Sequence, residues 1–298
     1  MADKVHSLTD KKLEAMERHL SAIYSRASKE IGNTWKQYLK DVGKEIEELQ
    51  KAYDEAKRGT DRDAIKKAGI ELSRVKREKT LKDKHYRNLS NQTAVQMANI
   101  NKMALSYVNG KLPEIYSINY NASADMFDGI KGYSFELVNP KTIEGLVKKD
   151  KSLLPTKKLN VKKDKKWSTK KMNAEVLQGI LQGESMDKIA RRLSNVERMH
   201  KDSAIRNART MVTGAENRGR LDSYVKAQED GVILEKEWIS TNDDRTRETH
   251  ALMNGETVPI DEPFSNGLMY PADASGEPAE VYNCRCTMIV KVKGFKSK

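Results

Sequence analysis

Residues 238–250 read Trp-Ile-Ser-Thr-Asn-Asp-Asp-Arg-Thr-Arg-Glu-Thr-His, and residues 283–286 read Asn-Cys-Arg-Cys. Between them lie Gly255, Pro259, Pro263, Gly267, Pro271 and Gly276, so the connection is turn-rich rather than helical. The two strings hold both cysteines of the chain and one of its five histidines. A compact fold that joins them makes a small polar site from Asp243, Asp244, Arg245, Arg247, His250, Asn283, Cys284, Arg285 and Cys286.

The segments flanking these strings have strand character. In 231–240, Val232, Leu234 and Lys236 alternate with Ile233, Glu235 and Glu237, which predicts a strand. Val281-Tyr282 and 286–292 bracket the Cys motif, and the latter predicts a final strand. Helical patterns precede them, so the expected class is α+β: a long helical N-terminal hairpin or arm, then a small C-terminal domain of helices packed on a short β-sheet.

Two chemistries fit the terminal site. Thiolates Cys284 and Cys286 with imidazole His250 are good zinc ligands, but Cys-x-Cys is shorter than the usual zinc spacing, and Asp243 or Asp244 would have to complete the set. The other reading, which we prefer, is a hydrogen-bonded lock. In it Asp243 or Asp244 pairs with Arg247 or Arg285, His250 bonds a loop carbonyl, and the cysteines pack as small buried groups. Strand alternation then explains why Arg285 stands between the thiols. No cofactor is therefore expected, with zinc at His250, Cys284 and Cys286 the alternative. A Cys/His pair also suits nucleophilic catalysis, and Arg285 can lower a thiol pKa. With no glycine-rich phosphate loop, clear acidic metal pair or nucleophile elbow, the expectation is that the protein is not an enzyme, and no catalytic residue is assigned.

The rest of the chain is polar: 298 residues, 37% hydrophobic and 33% charged, with four Phe and three Trp. Long helices with narrow apolar stripes fit this better than one large core. Residues 8–58 predict one long helix, with Leu13, Met16, Leu20, Ile23, Ala27, Ile31, Trp35, Leu39, Val42, Ile46, Leu49 and Tyr53 spaced by three or four. Ser7 or Thr9 is the expected cap at its start, Gly59 the stop, and Thr60-Asp61 the next cap. Residues 62–109 predict a second helical segment, with breaks allowed, closed by Gly110 and Pro113. The two form an antiparallel hairpin that buries both stripes.

Residues 114–147 gather Tyr116, Tyr120, Phe127, Tyr133 and Phe135, punctuated by Gly129, Gly132 and Pro140. They read as a hinge with a short strand at 133–138 and one helical turn at 142–147. Residues 148–171 carry eleven lysines against Asp150 and Asp164, net +9, and read as an extended loop or small hairpin. With a whole-chain charge of +12, Lys157, Lys158, Lys162, Lys163, Lys165 and Lys166 are candidates for nonspecific contact with double-stranded DNA. Residues 173–193 predict two short helices about Gly183, the second capped by Ser185. Residues 201–228 predict a longer helix with Ile205, Ala208, Met211, Val212, Ala215, Leu221 and Val225 inward. The expected domains are thus an arm over 1–113, a hinge and Lys-rich linker over 114–171, and a terminal domain over 172–298. The N-terminus has no apolar leader, no run is long enough to span a bilayer, and no membrane partner is expected. The tight Cys-x-Cys spacing argues against a disulfide and for a reducing cytoplasm during synthesis.

The strings at 238–250 and 283–286, with Asn254-Gly255 and Met269-Tyr270-Pro271-Ala272-Asp273 in order between them, resemble the C-terminal domain of phage minor head proteins, the head morphogenesis family typified by the F protein of phage Mu. Residues 206–217 resemble the helix that in this family packs under the small sheet. The likeness covers roughly the last 120 residues. It implies a virion structural protein, located in the phage head near the portal and assembled in the host cytoplasm. Its implied partners are the portal protein and the major capsid or scaffolding protein, and its implied stage is DNA packaging or delivery. Some relatives of this domain are fused to toxin domains; with eight residues after Val290, none is expected here. A nonspecific DNA-binding protein, or a Cys/His enzyme or toxin, is the alternative.

Overall fold

The computed structural model describes residues 4–128, 130, 133 and 135–296. In chain order the elements are α1 (Lys4–Glu45), α2 (Glu47–Arg58), α3 (Arg62–Lys79), α4 (Lys84–Asp125), α5 (Pro140–Lys149), α6 (Val161–Leu181), α7 (Met186–Glu229), β1 (Val232–Ile239), α8 (Glu248–Leu252), β2 (Thr257–Pro259), α9 (Pro278–Val281) and β3 (Thr287–Phe295). No helix among the described residues is long and apolar enough to cross a membrane. The chain divides into two compact units. One comprises the described residues of Met1–His19, Leu105–Lys158 and Ala204–Lys298; the other comprises Leu20–Ala104 and Leu159–Ser203.

In the all-helical unit, Leu20, Tyr24, Ala27, Ile31, Trp35, Leu39, Val42 and Ile46 line the buried side of α1 and its end. Each step is three or four residues, so a single face is covered. The α4 partner runs antiparallel, as the hairpin reading expects. The Tyr24 hydroxyl donates to Asn101 Oδ1 (2.6 Å), Trp35 Nε1 to Thr93 Oγ1 (3.1 Å), and the Tyr38 hydroxyl to Asp83 Oδ1 (3.3 Å). Tyr24, rather than Ile23, takes the inward position. The expected single helix over 8–58 is interrupted at Ile46, whose backbone (φ −115°, ψ 9°) leaves the helix and whose N–H bonds the Gly43 carbonyl three residues back. Ile46 stays buried through the break. Asp61 caps α3 as expected, accepting from Asp63 N and Ala64 N.

Several boundaries differ from expectation. Ser7 and Thr9 are not caps: α1 is already helical at Lys4, and the Thr9 hydroxyl donates back to the Val5 carbonyl (3.2 Å). Gly110 and Pro113 do not end α4, which continues to Asp125. An internal proline costs about 3 kcal/mol. Burying Leu112, Ile115 and Tyr116, each worth roughly 1.5–3 kcal/mol, outweighs it. The Lys-rich stretch is not an extended loop throughout: Asn160 Oδ1 accepts from Lys163 N (3.0 Å) and starts α6, whose buried face carries Ser168 and Met172. Residues 186–193 and 201–228 are one helix, because Val196, Glu197 and His200 between them are themselves buried. Val225 points outward and Tyr224 inward. The expected turn at 142–147 is a full helix, α5, capped by Asn139. Of the strand expected at 133–138, Tyr133 and 135–138 form none; Ser134, Gly129 and Gly132 lie outside the described residues. Tyr133 packs instead edge-on against Phe127 (5.5 Å between ring centroids).

The other unit holds the sheet, ordered β2-β1-β3 and antiparallel throughout, with Trp238 opposite Met288 and a register shift between Ile233 and Leu234. Along β1, Val232, Leu234, Lys236 and Trp238 face inward. The first two join Leu221, Tyr224 and Ala227 of α7 in one core with Met288 and Phe127. Lys236 is fully buried, its ammonium donating to the Ile260 and Met269 carbonyls, and burial pulls its pKa down to about 8.

On α7, the positions of Thr210, Thr213, Asn217 and Arg220 recur every three or four residues and so share a face. Each bonds the backbone of the Cys motif or of the start of β3. Thr210 Oγ1 accepts from Asn283 N (2.9 Å), and Thr213 Oγ1 donates to the Cys284 carbonyl (3.0 Å). Asn217 donates to the Cys286 carbonyl and accepts from Met288 N, and Arg220 donates to the Met288 carbonyl. Beneath them Glu216, 1% exposed, accepts from His6 Nδ1 (2.8 Å), Arg220 (3.3 Å) and Thr287 Oγ1 (3.3 Å).

Two measurements probe this packing. A Cβ on Gly219 would lie 2.5 Å from the Tyr116 carbonyl oxygen and 3.2 Å from Tyr120 N, both α4 backbone. Gly219→Ala is therefore expected to lower unfolding free energy by about 1–3 kcal/mol in urea titrations. Burial alone would lower the His6 pKa, but the hydrogen bond and charge of Glu216 carry it above its ordinary value of 6.5. A folded pKa above the unfolded one gives stability that is full below 6.5 and lost as pH rises through the folded value. The urea midpoint is expected to fall from about pH 6 to about pH 8, and His6→Gln is expected to remove that part of the slope.

Candidate functional site

The end of β1, the loop 240–247 and α8 form one wall of the site; α9 and the Cys motif form the other. Trp238 N donates to the Glu256 carbonyl and Gly255 N to the Trp238 carbonyl, closing the turn behind α8. Gly255, at φ +86°, adopts the left-handed conformation this turn requires. Ser240 N donates to Asn254 Oδ1 (3.0 Å), and the Ser240 hydroxyl donates to the His250 carbonyl. The Thr241 hydroxyl reaches across to the Arg285 carbonyl (2.7 Å).

A lock of charged groups covers the outside. Arg285 grips Asp243 with two bonds of 2.6 Å each, while Arg245 N (3.1 Å) and Thr246 Oγ1 (3.1 Å) donate to the same carboxylate. These donors, the Arg285 bonds foremost, hold the Asp243 carboxyl well below the usual carboxylate range. Arg247 donates to the Glu280 and Tyr282 carbonyls.

Inside lies His250, 1% exposed, stacked edge-on against Trp238. Its Nε2 is 2.9 Å from Glu280 Oε2, and its Nδ1 is 3.7 Å from Cys284 Sγ and 3.4 Å from Cys286 Sγ. Both cysteines are buried and unbridged. The hydrogen bond between the two thiols lowers the Cys286 pKa and raises that of Cys284; burial opposes the first shift and adds to the second, and His250 favours the Cys286 thiolate. A cavity of about 70 Å³ adjoins the sulfurs, lined also by Thr241, Thr246, Asn283 and the three arginines 245, 247 and 285.

Of the residues singled out in sequence, Asp243, Arg245, Arg247, His250, Asn283, Cys284, Arg285 and Cys286 thus come together, and Asp244 is exposed. Within the lock reading, Arg285 is the arginine that pairs with Asp243, and Arg247 bonds backbone. One detail changes: the His250 ring meets a carboxylate rather than a loop carbonyl. That carboxylate, Glu280, carries no local signal in the turn-rich 270–282. Of the basic candidates, Lys157 is engaged: its ammonium bonds Asn207 Oδ1 (3.0 Å) and lies 4.8 Å from the centre of the Tyr282 ring. Lys158, Lys162, Lys163 and Lys166 are exposed, and Lys165 is half-buried.

Residues 170–289 match the family described as Phage Mu protein F like protein. Minor head protein GP7 of Bacillus phage SPP1 is 23% identical over 289 residues, covering 94% of this chain and 87% of that protein. The NAD(+)--arginine ADP-ribosyltransferase EFV of Enterococcus faecalis is 32% identical over 123 residues, 40% of this chain. The chain spans only 25% of that enzyme's length. No solved structure matches.

Proposed function

We propose that this chain, whose residues 170–289 match the Phage Mu protein F like family, is a phage minor head protein, built into the head beside the portal and acting when DNA is packaged or delivered. One observation carries the reading. The likeness to the SPP1 minor head protein extends over 94% of this chain, so the helical hairpin is included as well as the terminal domain. A long amphipathic hairpin suits a protein partner in the head, such as the portal, capsid or scaffolding protein. The net charge of +12 and the exposed lysines at 158, 162, 163 and 166 suit nonspecific contact with packaged duplex. The role is one of assembly rather than chemistry, and the locked terminal site is a structural element of it.

The test is co-expression with the portal and capsid proteins of the same phage, followed by particle purification and mass spectrometry. Retention with portal-containing particles and loss from portal-less ones is expected; absence from both overturns the reading. DNA contact is checked separately. Reversing Lys158, Lys162, Lys163 and Lys166 to Glu is expected to weaken duplex binding at low salt. The salt dependence should flatten by about 0.9 in log–log slope for each phosphate that is no longer neutralised. Unchanged affinity would remove DNA from the list of partners. Lys157 is left intact in this variant, since its ammonium is engaged within the fold.

A further inference from the structure

The geometry points to a zinc ion held by His250 Nδ1, Cys284 Sγ and Cys286 Sγ, with a water from the adjoining cavity in the fourth position. Around tetrahedral zinc, with Zn–S near 2.3 Å and Zn–N near 2.0–2.1 Å, a sulfur and a nitrogen ligand lie about 3.5–3.6 Å apart. The two sulfurs here stand 3.7 and 3.4 Å from the same imidazole nitrogen, and all three ligand atoms fall within 4.8 Å of one another. A hydrogen-bonded lock requires only one sulfur at that nitrogen. A nucleophile–base pair also requires one, together with access to it, whereas both cysteines are 2% exposed.

The surroundings are those of a ligand set. His250 Nε2 lies 2.9 Å from Glu280 Oε2, so an imidazole that donates from Nε2 to this carboxylate can present Nδ1 to a metal in place of its contacts to the thiols. Thr213 and Asn217 hold the carbonyls of Cys284 and Cys286, so α7 fixes the backbone on which both thiols are mounted. Asp243, the carboxylate that a four-ligand protein site would need, is committed to Arg285, and no carboxylate among the described residues joins the three ligand atoms. The cavity of about 70 Å³ has room for a water beside the sulfurs. Zinc there clips α8 to the start of β3, and its binding releases the thiol protons.

The inference does not rest on the head-protein reading, because its test reads the metal itself. The full chain is purified under reducing conditions from zinc-supplemented cells and its metals are counted by mass spectrometry. About one zinc per chain is expected. Cobalt(II) exchange is expected to give thiolate charge-transfer absorption and the intense visible bands of a four-coordinate site. Cys284→Ser, Cys286→Ser and His250→Gln should each abolish stoichiometric zinc. As these variants remove ligands and can fail to fold, Glu280→Gln is the second arm: a positioning residue whose loss should weaken zinc affinity roughly 10–100-fold with helicity unchanged. Folded, reduced wild-type protein that takes up neither zinc nor cobalt overturns the proposal. So does thiol alkylation at the same rate with and without added zinc, or stoichiometric recovery of another metal.

Discussion

Glu216→Ala is expected to cost about 3–5 kcal/mol of unfolding free energy, enough to unfold a marginal protein at 37 °C. Glu216 and Arg220 are both nearly inaccessible, and the carboxylate is a charge partner of the guanidinium. Arg220 would keep its bonds to Asn119 and the Met288 carbonyl, but its buried charge would lose the carboxylate that faces it. Losing one member of a buried ion pair is far more damaging than losing both, because the survivor keeps its desolvation cost. The paired replacement Glu216→Leu with Arg220→Leu is accordingly expected to be less harmful than Glu216→Ala alone. Glu216→Gln preserves shape and an acceptor and should fall between. Denaturant titration followed by circular dichroism reads all three, and a Glu216→Ala loss below about 1 kcal/mol would show that the cluster contributes little to stability.

Trp238→Ala is expected to cost a similar 3–5 kcal/mol. The indole is fully buried between Phe264 (5.2 Å between ring centroids) and His250 (5.1 Å), and it closes the core under the Cys motif. Its truncation leaves a cavity directly beneath the imidazole. The contrast with Trp238→Phe is informative. Nε1 has no hydrogen-bond partner among the described residues, so replacing it loses volume but also removes an unsatisfied donor. Trp238→Phe should therefore cost markedly less than Trp238→Ala. Near-equal losses in the two variants would mean that the indole N–H is satisfied in solution.

Much of this architecture is written locally. The three–four spacing from Leu20 to Ile46 and the alternation from Val232 to Trp238 both depend on which side chains share a face, and both survive into the structure. The clustering of Asp243, His250, Cys284 and Arg285 follows from two polar strings tethered by glycines and prolines. What is missing depends on distant chain. Whether α4 passes Pro113 turns on the burial of Leu112 and Ile115, which no neighbour in sequence reveals. Tyr24 and Tyr224 take inward places that an apolar-only reading gives to Ile23 and Val225, because a tyrosine can bury its ring while its hydroxyl stays bonded, as that of Tyr24 does to Asn101. Lys236 falls on the inward face of β1, yet only the carbonyls of Ile260 and Met269 explain why a lysine stands there. Thr210, Thr213 and Asn217 read as solvent-facing positions of a helix, and their partners lie some seventy residues away in sequence, as does Glu216 from Thr287.

The α7 seam along residues 283–288 has a consequence for the edge of the sheet. β3 is the outer strand of its sheet, and an outer strand normally displays a row of free amides and carbonyls to which a neighbouring chain can add a strand. Here α7 side chains bond both the amide and the carbonyl of Met288, near the start of β3, and the Cys-motif backbone that leads into it. A neighbouring strand therefore cannot pair at Met288 without first displacing the α7 side chains that hold it.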